Sequence, residues 1–528
     1  MHLLKKFDPG MKKLNLLTIV IILLSGILNE IGAQQRLLGE VNFPNSGSEE
    51  AQSAFTEGLL FLHNFEYRDA AISFRQAQEI DPDFVMAYWG EAMTKNQPIW
   101  FRQQRDEAIE VLNKLATTPE ERQKIQSTGR EKEYLHAVEI LFGTVEETAG
   151  LSKEERDFAY REEMKKIHEK YPDDHEARSF YGLSMLGTAH EGRDFKLYMQ
   201  AAAVLMPVWN ANQKHPGAAH YLIHSFDDPI HAPLGLPMAE AYSEIAPDAA
   251  HAQHMTSHIF TALGLWNRVV HANVRASEVE IRRELELGEP TTVCGHNRYW
   301  LVYGYLQQGR DQEAAKLINT CHERVSDSRT DSNLWHFAMM KARYVVDTEI
   351  WDANEKWVIS YTENTAGAVG YYFTEAYTAI QKNDYMRAKS FRTRLQEIYD
   401  VNPSGELEVM LTELFGLIRL DEDGVEAGLN ELKKASELES ELPLDYGPPT
   451  VIKPAHELLG ETLLVLKRYE EAAVAFREQL NLTPRRINTM ENLANVLERL
   501  GKHEEVAELK DKLNEIYKKG KTGSSASK

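Results

Sequence analysis

Positive charge and cysteine are both scarce in this chain of 528 residues. Lys and Arg together number 59 against 81 Asp and Glu, which gives a formal net charge of −22. Because nucleic-acid binding needs a basic surface, we expect no nucleic-acid partner. The two cysteines, Cys294 and Cys321, are too few for a disulfide framework or a four-thiolate zinc site. With 43% hydrophobic and 27% charged residues, the composition is still that of a folded globular protein.

Long apolar runs are missing beyond the N-terminus. There, two consecutive lysines precede an uncharged, mostly apolar run over residues 14–28, and small residues follow it. This order is typical of a secretory signal peptide, here residues 1–33, with Met1 or Met11 as the start. An uncleaved N-terminal anchor is the alternative interpretation.

The expected location follows from the signal peptide. No later segment approaches the run of about 18 apolar residues that crosses a membrane. We therefore expect an exported protein, periplasmic or secreted, with no membrane span after signal cleavage. In such a compartment Cys294 and Cys321 either pair with each other or remain free buried thiols.

Helical periodicity dominates the rest of the chain, and no sustained two-residue alternation indicates strands. The clearest unit runs from Lys453 to Arg486, and its pattern returns 34 residues later and again near the N-terminus at 51–84. Small and aromatic residues let two antiparallel helices approach closely, and a proline ends the second helix. The marking residues are Leu459, Gly460, Tyr469, Ala472, Phe476 and Pro484, then Leu493, Ala494, Gly501 and Val506, and near the N-terminus Gly58, Phe61, Ala70, Phe74, Ala77 and Pro82.

These units resemble the tetratricopeptide repeat family. The resemblance implies an all-α fold, a right-handed α-solenoid of stacked helix-turn-helix repeats, because one such hairpin cannot bury its apolar face alone. Spacing predicts weaker helix pairs at residues 130–170, 175–212, 216–247, 250–283, 297–325, 333–362, 367–401 and 405–440.

The predicted organisation divides the chain into seven segments. They are a signal peptide (1–33), N-terminal repeats (34–130), degenerate central repeats that carry a histidine cluster (131–300), further degenerate helical repeats (301–440), a linker (441–452), C-terminal repeats (453–518) and a disordered tail (519–528).

Histidine is concentrated in the central repeats, where seven of the 19 lie between His215 and His258. His220 and His254 are 34 residues apart, and so are His224 and His258. On helices these residues occupy equivalent positions of neighbouring first helices, which lie about 8–10 Å apart. The family resemblance implies that first helices line a concave groove. We therefore predict that the four imidazoles face one another there around one metal ion.

The candidate metal ligands share the imidazole side chain, which suits Zn, Cu or Fe. They are His220, His224, His254, His258, His251 and His215. A set without thiolates favours a site that keeps one position open. Asp227, Asp228 and Asp248 are candidates for carboxylates that orient the rings. Two alternatives stay open: a metal-free groove that binds a peptide carboxylate, and histidines that only form hydrogen bonds within the stack.

Three segments also resemble a group of exported bacterial tetratricopeptide-repeat proteins: Ala87–Met93, His215–His220 and His254–Phe260. This resemblance supports the architecture and implies no reaction. The sequence thus predicts a repeat protein that binds a protein or peptide partner, or a small-molecule ligand, in its concave groove, with a histidine metal site in its central repeats. A metalloenzyme that uses this site for hydrolytic or oxidative chemistry remains an alternative, and so does a structural scaffold without metal. No common catalytic signature assigns a catalytic residue.

Overall fold

The computed structural model describes residues 36–525. The predicted signal peptide and the last three residues of the predicted tail lie outside this range. Within it the chain forms 25 α-helices and one two-stranded antiparallel sheet, with Asn96 opposite Gln103. None of the described helices is long and apolar enough to cross a membrane.

The elements follow one another along the chain with short connections. The helices are α1 (Gln52–His63), α2 (Tyr67–Ile80), α3 (Val85–Met93), α4 (Arg105–Leu115), α5 (Pro119–Arg122), α6 (Gly129–Phe142), α7 (Lys153–Lys170), α8 (His175–Leu186), α9 (Phe195–Ala211), α10 (Pro216–Phe226), α11 (Ala232–Ile245), α12 (Ala250–Ala262), α13 (Trp266–Glu286), α14 (His296–Leu306), α15 (Asp311–Asp327), α16 (Asp331–Thr348), α17 (Ala353–Lys356), α18 (Ala368–Gln381), α19 (Tyr385–Val401), α20 (Gly405–Glu422), α21 (Val425–Glu441), α22 (Ala455–Val465), α23 (Tyr469–Leu482), α24 (Ile487–Arg499) and α25 (His503–Ser525). The strands are β1 (Asn96–Gln97) and β2 (Arg102–Gln103), and single 3-10 turns form at Glu49–Ala51 and Pro98–Trp100.

Helical hairpins build an all-α solenoid, as the repeat pattern predicts. The predicted pairs coincide with α6–α7, α8–α9, α10–α11, α12–α13, α14–α15, α18–α19 and α20–α21, with helix ends within a few residues. Small residues act as expected at the crossing points. At Gly460, an added Cβ would lie 2.6 Å from the ring of Phe476, so only glycine allows α22 and α23 to approach this closely.

Two predicted segments differ from the structure. In the predicted pair at 333–362, the second helix is only the four residues of α17, because polar side chains compete for the backbone that follows it. The Thr365 hydroxyl, for example, accepts the backbone N–H of Thr362 at 3.0 Å. Where a disordered tail was expected from residue 519, α25 continues to Ser525. The predicted linker at residues 441–452 lies, apart from its first residue, in the helix-free connection between Glu441 at the end of α21 and Ala455 at the start of α22.

The inner face of the solenoid is filled by distant segments of the same chain. The turn after α1 reaches the central repeats, where Tyr242 donates a hydrogen bond to the Asn64 side chain at 2.8 Å and the backbone N–H of His251 donates to Glu66 at 2.8 Å. The C-terminal repeats return to the same region, where the Trp266 indole donates to the carbonyl of Arg485 at 2.8 Å. Residues far apart in sequence are therefore in direct contact.

The described residues form two hydrophobic cores. One is built mainly from residues 38–269 and the other mainly from residues 294–506, and Tyr446 of the linker packs against both. Cys294 and Cys321 form a disulfide in the second core, which resolves the choice that the sequence left open. The histidine-rich helices α10 and α12 lie at the border between the two cores.

The contact between the central and C-terminal repeats can be tested at Gly264. This residue has a φ of +64°, and an added Cβ would meet the carbonyl oxygen of Pro484. Gly264→Ala is expected to lower the free energy of unfolding by about 1–3 kcal/mol more than Gly288→Ala, because overpacking adds to the backbone strain. Gly288 has a similar φ of +70° but no atom within 4 Å of an added Cβ. Urea unfolding of both variants measures this difference, and equal destabilisation would contradict the contact.

Candidate metal centre

Three first helices bring six histidines together. His220 and His224 lie one turn apart on α10, His251, His254 and His258 follow one face of α12, and His296 is the first residue of α14. The helix that carries His220 starts at Pro216, and the preceding His215 caps it by accepting the backbone N–H of Ala218 at 3.0 Å. His220 and His254 are thus each the fifth residue of their helices, α10 and α12.

Four of the six histidines, the two on α10 and His254 and His258 on α12, are buried rather than exposed in an open groove, whereas His251 and His296 are partly exposed. His220 and His254 are 0% exposed, and His224 and His258 are 2% exposed. The expectation of a groove surface is wrong because three aromatic rings from other parts of the chain cover the histidines. Phe65 lies 4.2 Å from the ring of His220, and Trp300 and Tyr446 stack on His258 at 4.6 and 4.8 Å between ring centroids.

The six rings form two groups of three rather than one group around a single point. His220, His224 and His251, here called triad A, each offer a ring nitrogen within 4.8 Å of the other two. The same holds for His254, His258 and His296, here called triad B. The two triads are in contact, because the rings of His224 and His258 lie 5.4 Å apart between centroids.

In triad B the Nε2 atoms face one another. His254 Nε2 lies 3.2 Å from His258 Nε2 and 2.9 Å from His296 Nε2. Three imidazole nitrogens bound to one tetrahedral Zn²⁺ at about 2.0–2.1 Å would be about 3.3 Å apart. The spacing of the nitrogens in triad B is thus close to that of a metal-binding set.

Hydrogen bonds to the Nδ1 atoms determine the tautomers of His254 and His258. Asn273 donates through its NH₂ group to the carbonyl of Val269 at 2.9 Å, so its side-chain oxygen accepts the Nδ1–H of His254 at 2.7 Å. The Asp227 carboxylate, which can only accept, receives the Nδ1–H of His258 at 2.9 Å. In their neutral forms both histidines therefore present an Nε2 lone pair to the centre of triad B.

Burial keeps these rings neutral. It lowers the pKa of His258 to about 4 and that of His296 to about 3, and it holds the pKa of His254 well below its usual value. If His296 carries its hydrogen on Nε2, it can donate a hydrogen bond to Nε2 of His254. Nε2 of His258 then still faces the Nε2 lone pair of His254. Two buried lone pairs at 3.2 Å repel each other unless a cation lies between them.

Triad A resembles triad B in the arrangement of its ring nitrogens. His220 donates its Nδ1–H to the carbonyl of His63 at 2.7 Å, so its Nε2 carries a lone pair. The Nε2 atoms of His220, His224 and His251 are all buried and have no hydrogen-bond partner among the described residues. Burial lowers the pKa of His220 and of His251 well below the usual value, so these rings are also neutral.

Asp227 connects the two triads. Its Oδ2 atom lies 2.9 Å from Nδ1 of His258 and 3.4 Å from Nδ1 of His224, and its other oxygen pairs with Arg193. Burial opposes its charge, but Arg193 and the two imidazoles hold the pKa of Asp227 well below its ordinary value. Of the three predicted carboxylates, Asp227 is therefore the one that contacts the triads. Asp228 instead contacts Arg193 and His231. Asp248 pairs with Arg282.

His215 lies outside both triads. Its Nδ1 caps α10, and its Nε2 lies 3.1 Å from Glu176, which also accepts a hydrogen bond from His63 at 2.6 Å. Tyr221 in turn contacts His63 Nδ1 at 2.9 Å. Every ring nitrogen of His63 and His215 thus has a partner, and His63, Glu176 and His215 form a further group, separate from the two triads, whose ligand atoms lie within 4.8 Å of one another.

A cavity of about 420 Å³ lies beside triad B. Its lining includes His296 of the triad and the two rings that stack on His258, Trp300 and Tyr446. The other lining residues include the apolar Trp335, Met339, Leu407, Met410 and Ile452 and the acidic Glu363, Glu406 and Asp445. A molecule in this cavity therefore meets a mostly apolar wall with one imidazole of triad B exposed to it.

Sequence reasoning missed His296 and the three covering rings. A signal for His296 exists, because His251 and His296 both stand at the start of a first helix. The 34-residue period hides it, since α12 and α14 start 46 residues apart, at Ala250 and His296. Phe65 and Tyr446 come from segments with no repeat relation to α12, so no spacing rule identifies them.

Comparison with known proteins gives limited information. The sequence matches no protein-family model and no curated protein. Among solved structures, the APC/C hetero-tetramer Cut9-Hcn1 aligns with 12% identity and a TM-score of 0.36, over 89% of this chain and 74% of that one. Human IFIT1 with PPP-AAAA aligns with 12% identity and a TM-score of 0.38, over 86% of this chain and 94% of that one. The TPR domain of P58(IPK) matches with 14% identity and a TM-score of 0.22 over 86% and 99% of the two chains. The fold assignment therefore depends on the helical hairpins of this chain.

Proposed function

We propose that this protein is an exported helical-repeat protein in which triad B binds one transition-metal ion and the neighbouring cavity binds a small, mostly apolar ligand. The observation that carries the proposal is the pair of Nε2 lone pairs of His254 and His258, which face each other at 3.2 Å in a buried site. A bound cation converts this repulsion into two coordinate bonds. Hydrogen bonds of Nδ1 to Asn273 and Asp227 hold both rings in the ligating orientation.

The donor set narrows the choice of metal. Three neutral imidazoles without thiolate favour Zn, Cu or Fe over Mg or Ca, which prefer oxygen ligands. Three protein ligands leave a fourth position open on a tetrahedral metal. Because His296 belongs both to triad B and to the cavity lining, a ligand in the cavity lies next to the proposed metal.

A small molecule fits the site better than a peptide. The inner face of the repeats around α10 and α12 is covered by Phe65, Trp300 and Tyr446, so no open groove passes over the histidines. The cavity volume of about 420 Å³ lies in the usual range for small-ligand sites. A protein or peptide partner would have to bind elsewhere on the solenoid.

Export is supported by the disulfide between Cys294 and Cys321, since disulfides persist in oxidising compartments such as the periplasm. The predicted signal peptide at residues 1–33 gives the same location.

A metalloenzyme is the second candidate, and the shared position of His296 favours it. A metal at triad B would act as a Lewis acid or lower the pKa of a bound water, for hydrolytic or oxidative chemistry on the cavity ligand. The chain's own contribution would be to hold His254 and His258 through Asn273 and Asp227 and to keep the site dry with Trp300 and Tyr446.

Metal analysis of protein purified without a histidine tag tests the proposal. After incubation with Zn²⁺, Cu²⁺ or Fe²⁺ and dialysis, we expect at least about one equivalent of metal in the native protein. His254→Ala/His258→Ala removes two of the three ligands of triad B and is expected to abolish binding at this triad.

The matched control removes two exposed histidines, His271→Ala/His503→Ala, and is expected to retain the full metal content. Circular dichroism of each variant verifies that the helices are intact. Less than about 0.2 equivalents of any of these metals in the native protein would contradict the proposal.

A further inference from the structure

The three Nε2 atoms of triad A are buried polar atoms without a hydrogen-bond partner in the described part of the chain, and they lie next to triad B. His220 is 0% exposed and His224 is 2% exposed, and the Nε2 atoms of both, together with that of His251, have no hydrogen-bond partner among the described residues. A buried polar atom without a partner destabilises the fold, so three in one place need an explanation. A shared ligand that accepts three lone pairs provides it.

The nature of that ligand follows from the tautomers. The Nδ1–H of His220 is used by the carbonyl of His63 at 2.7 Å, and Nδ1 of His224 faces the Asp227 carboxylate at 3.4 Å. The inward Nε2 atom of His220 is therefore an acceptor. A metal cation can bond to one nitrogen of each ring, since His220, His224 and His251 each offer a ring nitrogen within 4.8 Å of the other two.

The surroundings of triad A are also suited to positive charge. Asp227 lies against His224 as a buried carboxylate, and Glu66 accepts the backbone N–H of His251 at 2.8 Å, although burial raises the pKa of Glu66 to about 7. The ring of Phe65 lies over the triad, 4.2 Å from His220 and 5.6 Å from His251 between centroids, and keeps bulk water away.

Phe65 has a φ of +55° just before the first residues of α2. The corresponding turns of other hairpins hold Gly264 and Gly501, with φ of +64° and +72°, but also Asn383 and Lys467, with φ of +60° and +61°. A left-handed φ is unfavourable for a bulky residue, so the phenylalanine is retained at a conformational cost. Its ring lies 4.2, 6.2 and 5.6 Å from the rings of His220, His224 and His251 between centroids, so it covers triad A.

From this geometry we propose that the protein binds two transition-metal ions, one in each triad, in an all-imidazole two-metal centre oriented by Asp227. The inference rests on the proposed metal site at triad B and adds a second ion at His220, His224 and His251. Asp227 contacts one ring of each triad, so it orients ligands of both ions.

Zn²⁺ binding to the full mature chain, measured by equilibrium dialysis and elemental analysis, tests the second site. We expect about two equivalents in the native protein, about one in His220→Ala/His251→Ala and about one in His254→Ala/His296→Ala. The His271→Ala/His503→Ala control is expected to keep two. Co²⁺ titration of the unmodified protein, followed by visible absorption, gives the stoichiometry without any substitution.

The outcomes separate the two proposals. Saturation of the native protein at one equivalent, lost only in the triad B variant, overturns the second site and leaves the proposed function intact. Loss of both ions in either double variant with intact helices shows one shared six-histidine site and overturns the assignment of two triads. Binding below about 0.2 equivalents overturns the inference and the proposed function together.

Discussion

Asp227→Asn is expected to weaken Zn²⁺ binding about 10–100-fold, because the carboxylate that orients His224 and His258 becomes an amide with a single acceptor atom. Asparagine keeps the size of the side chain but loses the charge that balances Arg193, which is 3% exposed. A buried charge that loses its partner costs about 3–5 kcal/mol, and the free energy of unfolding should fall by less than this because Asp228 remains 3.5 Å from Arg193. Competition with a chelating dye measures the affinity, and urea unfolding measures the stability.

Asp228→Asn provides the matched control for this experiment. Asp228 is also 0% exposed and also contacts Arg193, at 3.5 Å, but its histidine neighbour is His231, which belongs to neither triad. We expect lower stability and an almost unchanged Zn²⁺ affinity in this variant. Equal losses of affinity in the two variants would show that Asp227 acts only through general stability and would contradict its orienting role.

Arg486→Met is expected to lower the free energy of unfolding by about 3–5 kcal/mol, because it leaves a buried carboxylate without a partner. Arg486 is 0% exposed and donates to Asp347 at 2.6 Å and to Glu457 at 2.8 Å. Lys453 still pairs with Glu457 at 2.9 Å after the substitution, whereas Asp347 loses its ion pair across the repeats. Urea unfolding followed by circular dichroism measures the change.

The neighbouring residue supplies the control. Arg485 is 27% exposed, and its pair with Glu515 at 3.2 Å is open to solvent. Because exposed ion pairs contribute about 0–1 kcal/mol, Arg485→Met should change the unfolding free energy by no more than that. A similar effect of both substitutions would mean that the buried ion pair does not connect the C-terminal repeats to α16.

The hairpins could be predicted from the sequence because their determinants are local. Gly460 and Phe476 lie within one repeat, and their contact sets how close α22 and α23 approach. The packing of distant repeats depends instead on contacts such as Trp266 with Arg485, which join residues 219 apart. No period in the sequence encodes such contacts, so the filled inner face could not be expected from the repeat pattern.

The site was predictable to a similar degree. The shared 34-residue offset identified His220, His224, His254 and His258 as neighbours, because equivalent positions of adjacent repeats lie on one face. It could not assign them to separate triads, since their partners His251 and His296 stand outside that offset. Asn273 was also hidden, because an amide on a second helix carries no signal until the fold brings it to 2.7 Å from His254.

Anomalous diffraction from crystals soaked in Zn²⁺ tests the central claim most directly, since it locates a metal without any substitution. The account predicts a peak at triad B, about 2.0–2.1 Å from the Nε2 atoms of His254, His258 and His296. The second peak of the two-metal centre is expected among His220, His224 and His251. Zinc found only at surface carboxylates, with no density between the imidazoles, would contradict the account.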